Sequence, residues 1–221
     1  MLPDKPLVPN RRALQLVLSA WAICICGTAG SAAPHSPPEL SAQLEEMGTA
    51  DQAVRSKLGP CLKSGHLQTK ECRNVTEEMA VVDARNLSKL ETIVELYGWP
   101  DMRVVGVHAS NSAFLILQHS PLSAQQRLLP TFRQAVSSGK GRVQDLAMLE
   151  DRVRLGEGKK QLYGTQIAAG PDGKPRISPI EDPHNLDVRR KAVGLPPMSI
   201  YIERAEADIG QAIDKSALHQ P

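Results

Sequence analysis

Between residues 107 and 117 the chain carries apolar or small side chains on nearly every side of a helical wheel, Ala109, Ala113, Phe114, Ile116 and Leu117 among them. A helix that is apolar all round has no face to offer water and must be enclosed by other elements. The stretch therefore predicts a buried central helix, ending at Gln118, His119, Ser120 and Pro121. On both sides of it, apolar residues recur at helical intervals. Upstream, Leu40, Leu44, Met47, Val54 and Leu58 mark a helix opened by the capping-box spacing of Ser36 and Glu39, and Gly59 with Pro60 should stop it. Asn74, with Glu77 at its third position, is the expected cap of a second helix striped by Met79, Leu90, Ile93 and Tyr97 and ended by Gly98.

Downstream, Ser120 and Pro121 open a helix carrying Leu122, Leu129, Phe132 and Val136, which Pro130 should kink. Gly139 and Gly141 bracket a turn, and Val143, Leu146, Leu149 and Val153 mark a helix ending near Gly156. The period then changes. Residues 161–167 alternate, Gly170 and Gly173 form a turn, and residues 174–178 supply a second strand, which together read as a hairpin. A short helix over 186–193 ends at Gly194. Pro196 and Pro197 open a last helix with Met198, Tyr201, Ala205, Ile209 and Ile213, and residues 215–221 should fray. The expected fold is mainly α: a single-domain helical bundle with one β-hairpin near residues 160–178. Its helical core spans 74–214 and is preceded at 33–73 by an N-terminal helix and a disulfide loop.

The first residues read as an address. Arg11 and Arg12 precede an uncharged apolar run over 13–26, and Gly27, Ala29, Gly30, Ser31, Ala32 and Ala33 follow. That is the layout of a secretory signal peptide over 1–32, cleaved after Ala32. Cys24 and Cys26 leave with it, so Cys61 and Cys72 remain as an even pair in an oxidising compartment. A disulfide closing that short loop constrains the unfolded chain by about 3 kcal/mol in the chain-entropy model. A periplasmic or secreted location follows, with no membrane contact after cleavage. Residues 1–32 hold Lys5, Arg11 and Arg12 against Asp4, so the remainder has equal numbers of acidic and basic side chains. A net charge of zero and an aromatic content of 3% give no footing for nucleic acid.

Candidate functional residues are polar side chains standing where the pattern asks for apolar ones. Asp83 and Asn86 fall within the stripe of Met79, Leu90 and Tyr97. A buried carboxylate needs a partner, so Asp83 should be paired or face a cavity. Asp151 and Arg152 lie opposite Leu146, Leu149 and Val153, flanked by Met148 and Leu155, on a second face that other elements can cover. His119 ends the most buried helix, where a histidine serves as base, ligand or cap. Gln161, Tyr163, Thr165 and Ile167 share one face of the expected strand, Gln166 lies on the other, and Gly164 permits close backbone approach. The chain has no Walker A loop, G-x-G-x-x-G, G-x-S-x-G or H-E-x-x-H motif. His119, Asp83, Asp151, Glu181, Asp182 and His184 include metal-ligating types, but no spacing specifies a site, and no motif implies a cofactor.

Taken in order, Asp83 and Asn86, Tyr97 to Pro100, Val105-Gly106, Gln118-His119, Asp151-Arg152, Gln161 to Gln166, Pro179 to Pro183, Arg189-Arg190 and Val193 to Leu195 make a recognisable set. Over residues 79–206 the chain resembles a bacterial family known as domain of unknown function 6624. The resemblance implies a shared fold and a list of suspect residues, and no reaction.

Two functions are compatible with these features. In the first, a small-molecule or catalytic site lies between the helical core and the hairpin. His119 is general base or acid, oriented by Asp83 or Asp151. Tyr163, Thr165 and Gln166 supply hydrogen bonds, and Arg152 and Arg190 bind an anionic group. With no Ser or Cys nucleophile signature, hydrolysis would use an activated water. In the second, the chain is a non-enzymatic periplasmic interaction or structural module whose polar set pins the hairpin to the helices.

Overall fold

The computed structural model describes residues 37–64, 69–170 and 173–219; the leader expected at 1–32 lies outside them. Helix α1 (Pro37–Ser56), a short α2 (Gly59–Ser64), α3 (Lys70–Tyr97), α4 (Val107–His119), α5 (Leu122–Ser137) and α6 (Val143–Gly156) come first. Strands β1 (Ile167–Ala169) and β2 (Pro175–Ile177), α7 (Leu186–Ala192) and α8 (Met198–Ile209) follow. The fold is mainly α with one two-stranded antiparallel hairpin.

The buried central helix is α4: Ala109, Ala113 and Leu117 are fully enclosed. Helix α1 packs along it, burying Leu40, Leu44 and Met47, so the N-terminal helix belongs to the main core. The two helices approach closely at Gly48, where an added Cβ would collide with the Ser112 side chain. Leu90 and Ile93 of α3, Phe132 and Val136 of α5, and Leu149 and Val153 of α6 complete this core. Phe132 holds Trp99 at 4.3 Å and Phe114 at 5.9 Å between ring centroids. A second, smaller core joins Ile177, Ile180, Leu186, Met198, Ile202 and Ile213 under the hairpin.

Several expected boundaries move. Gly59 and Pro60 end α1 but also begin α2, since proline is well tolerated in a first helical turn. The Cys61–Cys72 disulfide, with sequence separation 11, therefore links two helices. The long helix starts at Lys70, where the Thr69 side chain accepts from Cys72 N, and not at Asn74. Pro130 lies inside α5, which continues through it. Ile213 is buried but outside α8, which ends where Gly210 takes a left-handed conformation at φ 73°. In place of a frayed tail, residues Ser216–Leu218 form a 3-10 turn that buries Ala217.

The largest correction concerns residues 161–166. The alternation there predicts a strand, but the strand begins only at Ile167, and Gln161 makes a lone bridge to Ile180. The intervening backbone is an irregular loop whose N–H groups turn away from sheet pairing.

Candidate functional site

The polar residues singled out in the sequence fall into two groups. The first is built around Asp151. Its carboxylate is completely buried and accepts from Leu162 N at 2.6 Å, Tyr163 N at 3.0 Å, Thr165 N at 3.0 Å and Thr165 Oγ1 at 2.9 Å. The loop curls round it at Gly164, whose φ of 66° is costly for residues with a Cβ. The close approach that this glycine permits is filled by Met198, whose Sδ would lie 3.1 Å from an added Cβ. Gln161, equally buried, donates to Ser178 O at 2.7 Å and accepts from Gln166 N at 2.9 Å.

Arg190 closes this network from α7. Its guanidinium donates to Tyr163 O at 2.6 Å and Pro196 O at 2.7 Å and lies 5.0 Å from the Tyr201 ring centroid. It is 1% exposed, so its fork serves backbone carbonyls and is closed to an external anion. Tyr163 contributes its backbone on both sides of the network. Burial, with the charges of Glu150 and Asp151, pushes its phenol pKa up, away from service as a base. Both Asp151 oxygens are taken up by donors of the 161–166 loop, which is how a carboxylate pins a loop.

The second group gathers at the end of α4. His119 Nδ1 lies 2.9 Å from Asp51 Oδ1 and also 2.9 Å from Arg55 Nε. Arg55 Nη2 pairs with Asp83 at 2.8 Å. Asp83 is thus partnered, as a half-buried carboxylate in an apolar stripe should be. Asn86, 1% exposed, donates to Met47 O at 3.0 Å and ties α3 to α1.

One ring nitrogen cannot serve both neighbours at once. With a proton on Nδ1, His119 donates to Asp51 and its Nε2 carries a lone pair, the state of a general base. With Nδ1 bare, it accepts from Arg55 and Nε2 carries the proton as a hydrogen-bond donor. Each neutral tautomer has a ready partner. Among the described residues nothing hydrogen-bonds Nε2. His119 also lines a cleft of about 450 Å³ with Asp83, Ser88, Glu91 and the apolar Ala80, Ala84, Leu87 and Pro121.

Asp51 is the member of this group that sequence reading missed, and Arg55 with it. Asp51 is 1% exposed. Burial works against its charge, but the hydrogen bond from His119, the charges of His119 and Arg55, and the Gln52 amide outweigh it and hold the carboxyl below its usual 3.8. The signal was present: Asp51 fills the gap between Met47 and Val54 in the stripe of α1, and Arg55 follows it by one helical turn. The lowered pKa has a consequence for stability. The folded state favours ionised Asp51, so its contribution is complete above pH about 4 and is lost as pH falls through the lower folded value. In urea denaturation across that range, the gap between the parent chain and Asp51→Asn should be widest near neutrality and shrink in acid.

Arg152 is exposed and joins the first group through Gln166. Its Nη1 donates to Gln166 Oε1 at 3.3 Å, and Gln166 in turn donates to Met148 O and Thr165 Oγ1. Among the described residues no hydrogen bond or ion pair joins Asp151 to His119. No group of three or more His, Cys, Asp or Glu side chains there is placed to hold a metal ion. Glu181 and Asp182 are instead paired with Arg154 and Arg189. Two larger hollows, of about 500 and 670 Å³, lie by His184 and Met198 and along α1 and α4 by Gln52 and His108. Among the described residues, neither sets an imidazole against a buried carboxylate.

A protein-family model described as "Family of unknown function (DUF6624)" matches residues 38–214. The chain belongs to that family. The match is wider than the stretch 79–206 and takes in α1 and the disulfide loop. It thereby includes Asp51 and Arg55 along with His119, Asp83, Arg152 and Gln166. No curated protein and no solved structure matches the chain.

Proposed function

We propose that this chain is an exported protein whose working site is the His119–Asp51 pair and the cleft beside it, with a small molecule as ligand and His119 as the acid–base group. One observation carries the reading: an imidazole held by a buried carboxylate through Nδ1 keeps Nε2 without a partner among the described residues and lines a cleft of ligand size, about 450 Å³. Asp51 orients the ring, as a carboxylate behind a catalytic histidine does. Neither Ser88 nor Ser120, which share the cleft, is hydrogen-bonded to the imidazole, and Ser120 Oγ donates to Ile116 O. The nucleophile in a hydrolytic reaction here is an activated water.

The Cys61–Cys72 disulfide supports export, as does the leader-like pattern of residues 1–32. Among the described residues no helix is long and apolar enough to cross a membrane. The alternative of a structural or interaction module draws its support from the Asp151 network, which is closed on itself. We assign that network to holding the 161–166 loop and the α4 end to function.

Ligand-observed NMR with a library of small neutral and charged fragments tests the assignment. The expected outcome is a set of fragments that bind the parent chain and lose binding in a folded His119→Gln variant. Fragments that bind both proteins equally would place the site elsewhere.

A further inference from the structure

The lining of the His119 cleft points to the chemical class of its ligand. Ala80, Ala84, Leu87 and Pro121 give it apolar walls, and its carboxylates are Asp83 and Glu91. Among the described residues no lysine or arginine lines it. Glu91 is taken up by Arg127. Asp83 is taken up only in part: Oδ1 accepts from Arg55 Nη2 at 2.8 Å, while among the described residues Oδ2 has no hydrogen-bond partner. The Asp83 side chain is 21% exposed and that of His119 18%, so a solute can reach both. Arg55 bridges the two, with Nε on His119 Nδ1 and Nη2 on Asp83, which sets the imidazole and the carboxylate one guanidinium apart.

Arg55 is also shared. Among the described residues it is the only arginine or lysine ion-paired with either Asp83 or Asp51, whose Oδ1 lies 3.4 Å from the same Nη2. One cation between two carboxylates leaves a negative charge over whenever His119 is neutral, the state its role as a base requires. Asp51 is enclosed, so the carboxylate open to a ligand is Asp83.

We infer that the ligand of this site is a protonated amine on an apolar body, with the ammonium paired to Asp83 beside the His119 imidazole and the body against Ala80, Ala84, Leu87 and Pro121. The inference rests on the reading of His119 given above. An ammonium offers three donors and supplies the cation that the cluster lacks. The walls gain by excluding water from an apolar body. An anion would meet Asp83 and Glu91 with no lysine or arginine of the lining to offset them.

The test is an NMR titration at neutral pH with three probes of one shape and different charge: phenethylammonium, phenylethanol and phenylacetate, with sodium chloride holding ionic strength constant. The His119 ring signals report binding. Phenethylammonium should give a saturable shift, phenylethanol a weaker one and phenylacetate none. In Asp83→Asn, which keeps an oxygen for Arg55, the affinity for the amine should fall about tenfold or more, as expected for a lost charge-assisted hydrogen bond, and that for the alcohol should change little. No saturable shift with the amine, or phenylacetate binding as tightly as the amine, would overturn the inference; both are read on the parent chain. An unchanged affinity for the amine in a folded Asp83→Asn would overturn it as well. If fragments from the screen need His119 while the amine does not saturate, the His119 site stands and the amine assignment alone is lost.

Discussion

Asp151→Asn will be about 4 kcal/mol less stable than the parent chain, the cost typical of breaking a buried, fully hydrogen-bonded charge. The carboxylate takes three backbone N–H groups and one hydroxyl. An asparagine amide keeps the shape but turns one acceptor into a donor facing other donors. Backbone N–H groups then lie buried without partners, and the 161–166 loop loses its only carboxylate anchor among the described residues. For a chain of this size the thermal midpoint should fall by roughly 10 °C. Calorimetry or urea denaturation measures it. A loss under about 1 kcal/mol, the range of ordinary surface substitutions, would mean the loop is held by other contacts.

Arg190→Ala comes next, at about 3 kcal/mol. Two hydrogen bonds from a charged donor are worth about 1.5–3 kcal/mol each, and the cost of burying the charge offsets part of that sum. Burial lowers the pKa of Arg190, as expected where the surroundings disfavour its charge. Arg190→Lys separates charge from geometry. A lysine head cannot bridge Tyr163 O and Pro196 O as a planar fork does, so the lysine variant should recover little of the loss. Full recovery by lysine would show that charge alone matters. Asp151 and Arg190 support the same loop through Tyr163, so the double variant should lose less than the two single losses together.

The helical architecture was legible because its signals are local. The all-apolar stretch of α4, the stop at Gly98 and the turn between Gly170 and Gly173 each act within a few residues. The misread strand at 161–166 shows where local pattern ends. Gln161, Tyr163 and Thr165 alternate as strand residues do, yet their segment is shaped by an acceptor on α6 that period-two reasoning does not register. The helix start was displaced for a related reason. Thr69 and Asn74 both have cap chemistry, and the one chosen lies just before the disulfide-bonded Cys72.

The site was legible only in parts. Asp83 and His119 stand out separately as polar residues in apolar surroundings, but what joins them is Arg55, which looks like an ordinary exposed helix residue in sequence. Asp51 stood in plain sight within the α1 stripe, and its partner His119 is 68 residues away. Spacing shows that a polar residue is buried; it does not show which distant residue satisfies it.

The central claim is a division of labour: the Asp151 network holds the fold, and the His119 end of α4 is available to a ligand. Equilibrium denaturation of His119→Gln beside Asp151→Asn tests it most directly. The glutamine amide can still donate to Asp51, which keeps Arg55 and Gln52 as neighbours. His119→Gln should therefore remain within about 1 kcal/mol of the parent chain, while Asp151→Asn loses about 4 kcal/mol. A His119→Gln variant that loses as much as Asp151→Asn would contradict the account and make the imidazole another strut of the fold.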